Sequence, residues 1–265
     1  MSSIYIPSFS EISAVARGRG ADSQAPGLWR GLVGAWPLQE VGGLTAFDVS
    51  GYRNNGTLTS MDAATDHVVT PMGRALDFYG SKDFPGVVTA RDPTANGPPI
   101  TVATWGNIRT NVTYAGIADT KTSYDGAGWV IWVINNNLRV RIEEWVSGSG
   151  ALIGTHTLGQ WFHVGFTYDN ATIRPYFNGK AAAPEAAAAA TVPNSVMQIG
   201  RSYAYCLDCQ VANLGIWNRI LLPSEILRLY TDPWGMYRLR RRVYGAAVAP
   251  SGNRRRRLLI AGARR

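Results

Sequence analysis

The chain has 265 residues, 46% of them hydrophobic and 17% charged, with 29 glycines, 14 prolines, 9 tryptophans and 12 tyrosines. That length and apolar content suit one large all-β domain with a real core, the glycines and prolines supplying turns and the aromatics filling a sheet-on-sheet interior. The formal charge of +8 is segregated: ten arginines and no acid lie between Arg238 and Arg265, so residues 1–237 hold 16 bases against 18 acids. The charge therefore describes a basic tail suited to an anionic partner and says little of the fold.

In chain order, Met1 to Gly27 reads as a polar, glycine-containing irregular arm, Leu28 to Asp232 carries the patterned sequence, and Pro233 to Arg265 is a basic arm. Residues 1–19 lack the basic start, apolar block and cleavage site of a secretory signal, so ordinary export is not expected. The longest bland run, Ala181 to Val192, is broken by Pro184 and Glu185 and falls short of the ~20 apolar residues of a membrane span. No repeat at solenoid or propeller period is present.

Within the body, Trp129 to Ile134 is a solid apolar run, Asn135, Asn136 and Asn137 interrupt it, and Leu138, Val140 and Ile142 alternate with Arg139 and Arg141. This predicts a β-hairpin, with the asparagines in the turn and the arginines facing solvent. From Trp161, the residues Phe162, Val164, Phe166 and Tyr168 recur with period two, and Asp169 and Asn170 mark a turn. A strand follows from Thr172 to Phe177, then the tight-turn pair Asn178 and Gly179; Pro175 lacks an amide donor and places that strand at an edge or bulge. Val211 to Trp217 reads as a strand. Pro223, Glu225, Ile226, Leu229 and Tyr230 fit one short helix with proline in the first turn and one apolar face.

Catalytic signals are sparse. His67, His156 and His163 are not at helix-ligand spacing, and neither a Gly-x-Ser-x-Gly elbow nor a phosphate loop occurs. Cys206 and Cys209 cannot complete a four-ligand zinc site and are expected as free thiols or a local disulfide. The sequons at Asn55, Asn111 and Asn170 read as turn residues, since glycosylation requires a secretory route.

Several segments, in order, resemble the laminin-G-like, concanavalin-A-like jelly-roll family. They are Gly31 to Trp36, the Phe47 to Leu58 stretch with Asp48, Ser50, Gly51, Asn54, Asn55 and Gly56, and GRALDFYG from Gly73 to Gly80. The most specific are QWFHVGFTYDNATIRPYFNG from Gln160 to Gly179, then Ile199 and Gly200, and LGIWNRILLPSEILRLY from Leu214 to Tyr230. The resemblance implies an all-β, two-sheet antiparallel sandwich with one short C-terminal helix and irregular terminal arms. Trp36, Trp105 and Trp161 are then core candidates, and His163 a hydrogen-bonded structural histidine.

Some relatives hydrolyse glycans with paired carboxylates, but the only close pair here, Glu143 and Glu144, would point to opposite faces of a strand, so no enzyme is expected. Some bind calcium through loop oxygens, for which Asp48, Asn54 and Asn55 are candidates; the same residues are ordinary turn formers, and no cofactor is expected.

The fold does not fix function. The chain, including DPWGMYRLRRR from Asp232 to Arg242, resembles single-domain laminin-G-like proteins of tailed bacteriophages. That resemblance implies a non-enzymatic virion structural protein, such as a capsid decoration, head fibre or tail-associated protein, assembled in the host cytoplasm. The alternative is a carbohydrate-binding module for a cell-surface glycan. Docking onto other virion proteins, above all capsid protein, is expected through both terminal arms, Met1 to Gly27 and Pro233 to Arg265, and is assigned to Arg240, Arg241, Arg242, Arg254, Arg255, Arg256 and Arg257 with the apolar Leu258, Leu259 and Ile260, because arginines pair bidentately with carboxylates. Specific nucleic-acid recognition is not expected without a recognised nucleic-acid fold, and homo-oligomerisation stays open.

Overall fold

The period-two pattern of residues 161–168 sets the plan of the molecule. Phe162, Val164, Phe166 and Tyr168 enter the main core, while His163 lies on the other face beside Trp105 and Tyr230. The computed structural model describes residues 5–79, 84–110, 114–121, 127–142, 150–187, 196–202 and 205–240. Its elements begin with α1 (Phe9–Arg17), then β1 (Leu32–Trp36), β2 (Thr45–Ala46), β3 (Gly56–Thr59), β4 (His67–Thr70), β5 (Gly73–Phe78), β6 (Gly86–Thr89), β7 (Ile100–Ile108), β8 (Ala115–Asp119) and β9 (Trp129–Ile134). They continue with β10 (Asn137–Ile142), β11 (Ala151–Thr155), β12 (Trp161–Tyr168), β13 (Thr172–Phe177), β14 (Lys180–Ala181), β15 (Glu185–Ala186), β16 (Gln198–Ile199), β17 (Cys209–Trp217) and α2 (Pro223–Thr231).

Every ladder is antiparallel. A nine-stranded sheet runs β14-β13-β12-β7-β17-β5-β4, with β1 beside the second half of β17 and β15 beside β13; an eight-stranded sheet runs β11-β10-β9-β8-β16-β6-β3-β2. The expected two-sheet sandwich is therefore present. Between the sheets lie Trp36, Phe78, Ile131, Val133 and Val211 with the inward residues of β12. Trp105, half-buried Trp161 and His163 sit instead on the outer face of the nine-stranded sheet. Tyr230 of α2 stacks on Trp105 at 5.6 Å between ring centroids. Trp105 is buried as expected, but in a second apolar layer beneath α2 and not between the sheets, while half-buried Trp161 on the same face departs from the core position expected of it.

Local chemistry explains the other departures. The β9–β10 turn uses Asn135 and Asn136, both with positive φ (47° and 65°), and Asn137 already pairs in β10. Arginine side chains on β10 were expected in solvent, yet Arg141 is buried beside Trp132 and Arg139 donates to the Gly150 carbonyl at 2.7 Å. β13 has partners on both sides, but its outer partner splits into β14 and β15 around Pro175, whose carbonyl accepts from Ala182 N at 2.9 Å. The missing proline amide is accommodated by that gap.

The largest correction concerns the termini. Residues 5–27 are not an irregular arm. Ser8 caps α1: its Oγ accepts from Glu11 N at 3.3 Å while Glu11 Oε2 accepts from Ser8 N at 2.8 Å. Ile12 and Val15 are buried, and Ile12 shares a cluster with Leu28, Trp217, Ile226, Trp234 and Met236. Trp217 Nε1 donates to Leu28 O at 2.6 Å, Trp29 Nε1 to Met236 O at 2.7 Å, and Arg228 to Gln24 O at 2.6 Å. Residues 233–240 fold back over the same face and bridge the N-terminal segment at Ser23 and Leu239.

Candidate functional site

The docking residues assigned from sequence divide into one described and nine not. Arg240 is held within the molecule: its backbone amide donates to Asp22 O at 2.7 Å and its Nε to Ser23 O at 2.8 Å. Arg241, Arg242, Arg254, Arg255, Arg256, Arg257, Leu258, Leu259 and Ile260 lie outside the described residues, as do Glu143, Glu144 and Asn111.

The calcium candidates form a turn. Asp48 Oδ1 accepts from Ala35 N and Ser50 N, both at 2.9 Å, and its Oδ2 from Asn54 N at 2.9 Å. Asn54 Oδ1 accepts from Arg91 N and Asn55 Oδ1 from Asp48 N. These oxygens face backbone amides, which accounts for the residue types as turn chemistry. Among the described residues, no cluster of three or more His, Cys, Asp or Glu side chains has metal-binding geometry, and no helix is long and apolar enough to cross a membrane. Cys206 and Cys209 are not joined in a disulfide, and burial pushes the Cys209 thiol pKa far up. His163 was expected to be a hydrogen-bonded histidine; its backbone amide donates to Asn178 Oδ1 at 2.8 Å, yet ring Nδ1 has no partner among the described residues and burial lowers its pKa to about 3.

What the sequence reasoning missed lies at one end of the sandwich, where the β5–β6, β7–β8 and β16–β17 connections meet. Four aromatic side chains there are exposed: Tyr79 (39%), Phe84 (39%), Tyr114 (37%) and Tyr205 (50%). Phe84 and Tyr114 have positive φ, 55° and 68°, a conformation rare for bulky residues and sustained only when neighbours hold it. Those neighbours are adjacent residues of the β16–β17 connection. Arg201 Nη1 donates to Phe84 O at 2.8 Å, and Ser202 Oγ donates to Tyr114 O at 3.1 Å. Ser202 N also donates to Tyr205 O at 2.9 Å.

Arg109 ties the same end together. It pairs with Asp77 at 2.6 Å and with Asp208, and its guanidinium lies 4.9 Å from the centre of the Tyr79 ring. Burial opposes its charge, but hydrogen bonds to the two carboxylates outweigh that effect and raise its pKa. Thr110 Oγ1 donates to the other Asp208 oxygen at 3.0 Å. Gly200 permits the turn: its φ is 81°, and a Cβ there would fall 2.3 Å from the Phe78 ring. A rim of exposed rings on braced backbones beside fixed polar groups offers flat apolar faces and directional hydrogen bonds together.

Residues 83–227 match the Laminin_G_3 family model, described as the concanavalin A-like lectin/glucanases superfamily. The chain belongs to that superfamily. Comparison with curated proteins gives no match. Among solved structures, this concanavalin A-like chain is similar to domain 4 of a GH43 extracellular arabinanase from Geobacillus stearothermophilus, in complex with arabinotriose. Identity there is 16%, TM-score 0.61, with 75% of this chain and 98% of that one covered. It is also similar to Trypanosoma rangeli sialidase in complex with 2,3-difluorosialic acid, at 18% identity and TM-score 0.58, covering 78% of this chain and 33% of the sialidase. A third likeness is the binding domain of botulinum neurotoxin serotype D/C, at 16% identity and TM-score 0.59, covering 76% of this chain and 52% of that one. The chain spans about a third of the sialidase and half of the neurotoxin structure. At these identities the shared property is the lectin-like β-sandwich fold.

Proposed function

We propose that this superfamily member is a non-enzymatic binding protein that presents the Tyr79, Phe84, Tyr114 and Tyr205 end of its sandwich to a glycan. The observation that carries this reading is the pair of exposed aromatics held in left-handed backbone conformations by Arg201 and Ser202. Holding a bulky residue there costs on the order of 1–3 kcal/mol, and sugar rings stack their apolar faces on such side chains. The arabinanase domain in complex with arabinotriose supports the reading by fold analogy. A glycan array and calorimetry test it. Saturable binding should be lost in a Phe84→Ala/Tyr205→Ala variant whose melting temperature stays within about 2 °C of the unaltered protein. Absence of binding to every glycan on a broad array refutes the reading.

A second reading, that the protein is a structural component of a tailed-phage particle, draws support from the segregated arginines and from the phage-like segment Asp232 to Arg242. The two readings are compatible, since a displayed sandwich can touch glycans. Here the docking element is the C-terminal segment alone, because residues 5–27 pack on the sandwich. Deleting Ser251 to Arg265 should leave the melting temperature nearly unchanged but weaken incorporation into particles, read by mass spectrometry of purified particles. Full incorporation of the truncated protein overturns this assignment.

A further inference from the structure

Two arginines serve the aromatic end, and their electrostatic surroundings differ. Arg109 is neutralised by Asp77 and Asp208. Arg201 is half-buried and pairs with no carboxylate among the described residues. Its Nε donates to the Gln198 side-chain oxygen at 2.7 Å and its Nη1 to the Phe84 carbonyl at 2.8 Å, both neutral acceptors. Those bonds engage two of the five guanidinium N–H donors. Burial lowers its pKa, as it does for a partly desolvated cation.

The placement of Arg201 is also specific. Its side chain crosses β6 at Gly86, where a Cβ would come within 2.7 Å of Cδ, so only glycine lets the arginine lie there. The guanidinium is 5.5 Å from the centre of the exposed Phe84 ring. The neighbouring residue Ser202 braces Tyr114, and Tyr205 follows on the same connection. A half-buried guanidinium whose acceptors among the described residues are neutral, lying beside the exposed Phe84 ring, is arranged to receive an anionic group on a molecule that also stacks.

We infer that the glycan taken at this end is an acidic one, whose carboxylate or sulfate group seats on Arg201 while a sugar ring packs against the neighbouring aromatics. This rests on the glycan-binding reading above. Short probes separate the sources of charge and limit polyanion binding by the basic tail. They are a tri-galacturonate and a sialyllactose (carboxylate), a monosulfated lactose (sulfate) and lactose (neutral), each titrated calorimetrically into the full chain in physiological salt.

At least one acidic probe should bind at least about 10-fold more tightly than lactose. Arg201→Gln should weaken that binding roughly 10- to 100-fold, the loss expected for a charge-assisted hydrogen-bonded pair. Arg201→Lys should recover part of it, which a role confined to bracing Phe84 would not produce. A variant with Arg254, Arg255, Arg256 and Arg257 all changed to Gln should bind the acidic probe as the unaltered chain does. Equal or tighter binding of lactose, with no effect of Arg201→Gln, overturns the acidic specificity and leaves glycan binding standing. Loss in the tail variant alone also overturns it, by assigning the charge recognition to the tail. No binding to these probes or to any glycan on the array overturns both.

Discussion

The replacement Ile12→Ala tests whether the N-terminal helix is part of the folded body. Ile12 is fully buried, in a cluster with Leu28, Trp217, Ile226, Trp234 and Met236. Truncation of a buried isoleucine removes its transfer free energy and leaves a cavity, a loss of roughly 2–5 kcal/mol in well-packed sites. Because α1 is an outer layer and can settle inward, about 3 kcal/mol is the expected loss. For a domain of this size that corresponds to a fall of roughly 6–12 °C in melting temperature. Urea unfolding and calorimetry measure it, with the exposed Ser10→Ala as a control that should shift stability by less than about 0.5 kcal/mol. Hydrogen exchange supplies a second readout, since the Ile12 amide donates to Ser8 O at 3.0 Å and should be protected in the parent protein. A loss below about 0.5 kcal/mol for Ile12→Ala, with an unprotected Ile12 amide, would refute the argument that the burial of α1 contributes to the stability of the sandwich.

Two buried titratable groups should pull stability in opposite directions on acidification. His163 has its folded pKa depressed to about 3 by burial, so its contribution is complete above the unfolded value near 6.5 and is lost as pH falls toward 3. Asp92 has its folded pKa raised to about 6 by burial, despite opposing hydrogen bonds from Thr94, so its contribution is complete below about 3.8 and is lost as pH rises through 6. At about 1.4 kcal/mol per unit, moving from roughly pH 7.5 to 4.5 costs about 2–3 kcal/mol through His163 and returns about 2 through Asp92. His163→Phe, which keeps a ring against Trp105, should therefore gain stability relative to the unaltered protein on acidification. Asp92→Asn should lose stability relative to it over the same range. Urea midpoints at the two pH values check both, and parallel pH profiles for all three proteins would show that neither group titrates as its burial requires.

The sandwich was legible because a strand alternates its side chains, so Phe162, Val164, Phe166 and Tyr168 announce a half-buried strand with no knowledge of its partners. Pro223 and Glu225 mark the start of α2 for an equally local reason, and the structure places the helix there. One local signal went unread: Ser8, Phe9, Ser10 and Glu11 form a capping-box pattern before Ile12 and Val15, yet the polar composition of the segment favoured an irregular arm. The outer faces were not legible. Trp105, His163 and Arg141 owe their burial to elements or strands remote in sequence, and a period-two pattern cannot say which of two faces will be covered. The aromatic end is the extreme case. Tyr79, Phe84, Tyr114 and Tyr205 occupy three separated connections with no shared motif, and only the ladders that set β16 between β6 and β8 bring Arg201 and Ser202 to the carbonyls they hold. Sequence determined the strands, their inward residues and the basic tail; tertiary structure decided which outer faces are covered and which loops meet, because those depend on contacts between residues far apart in the chain.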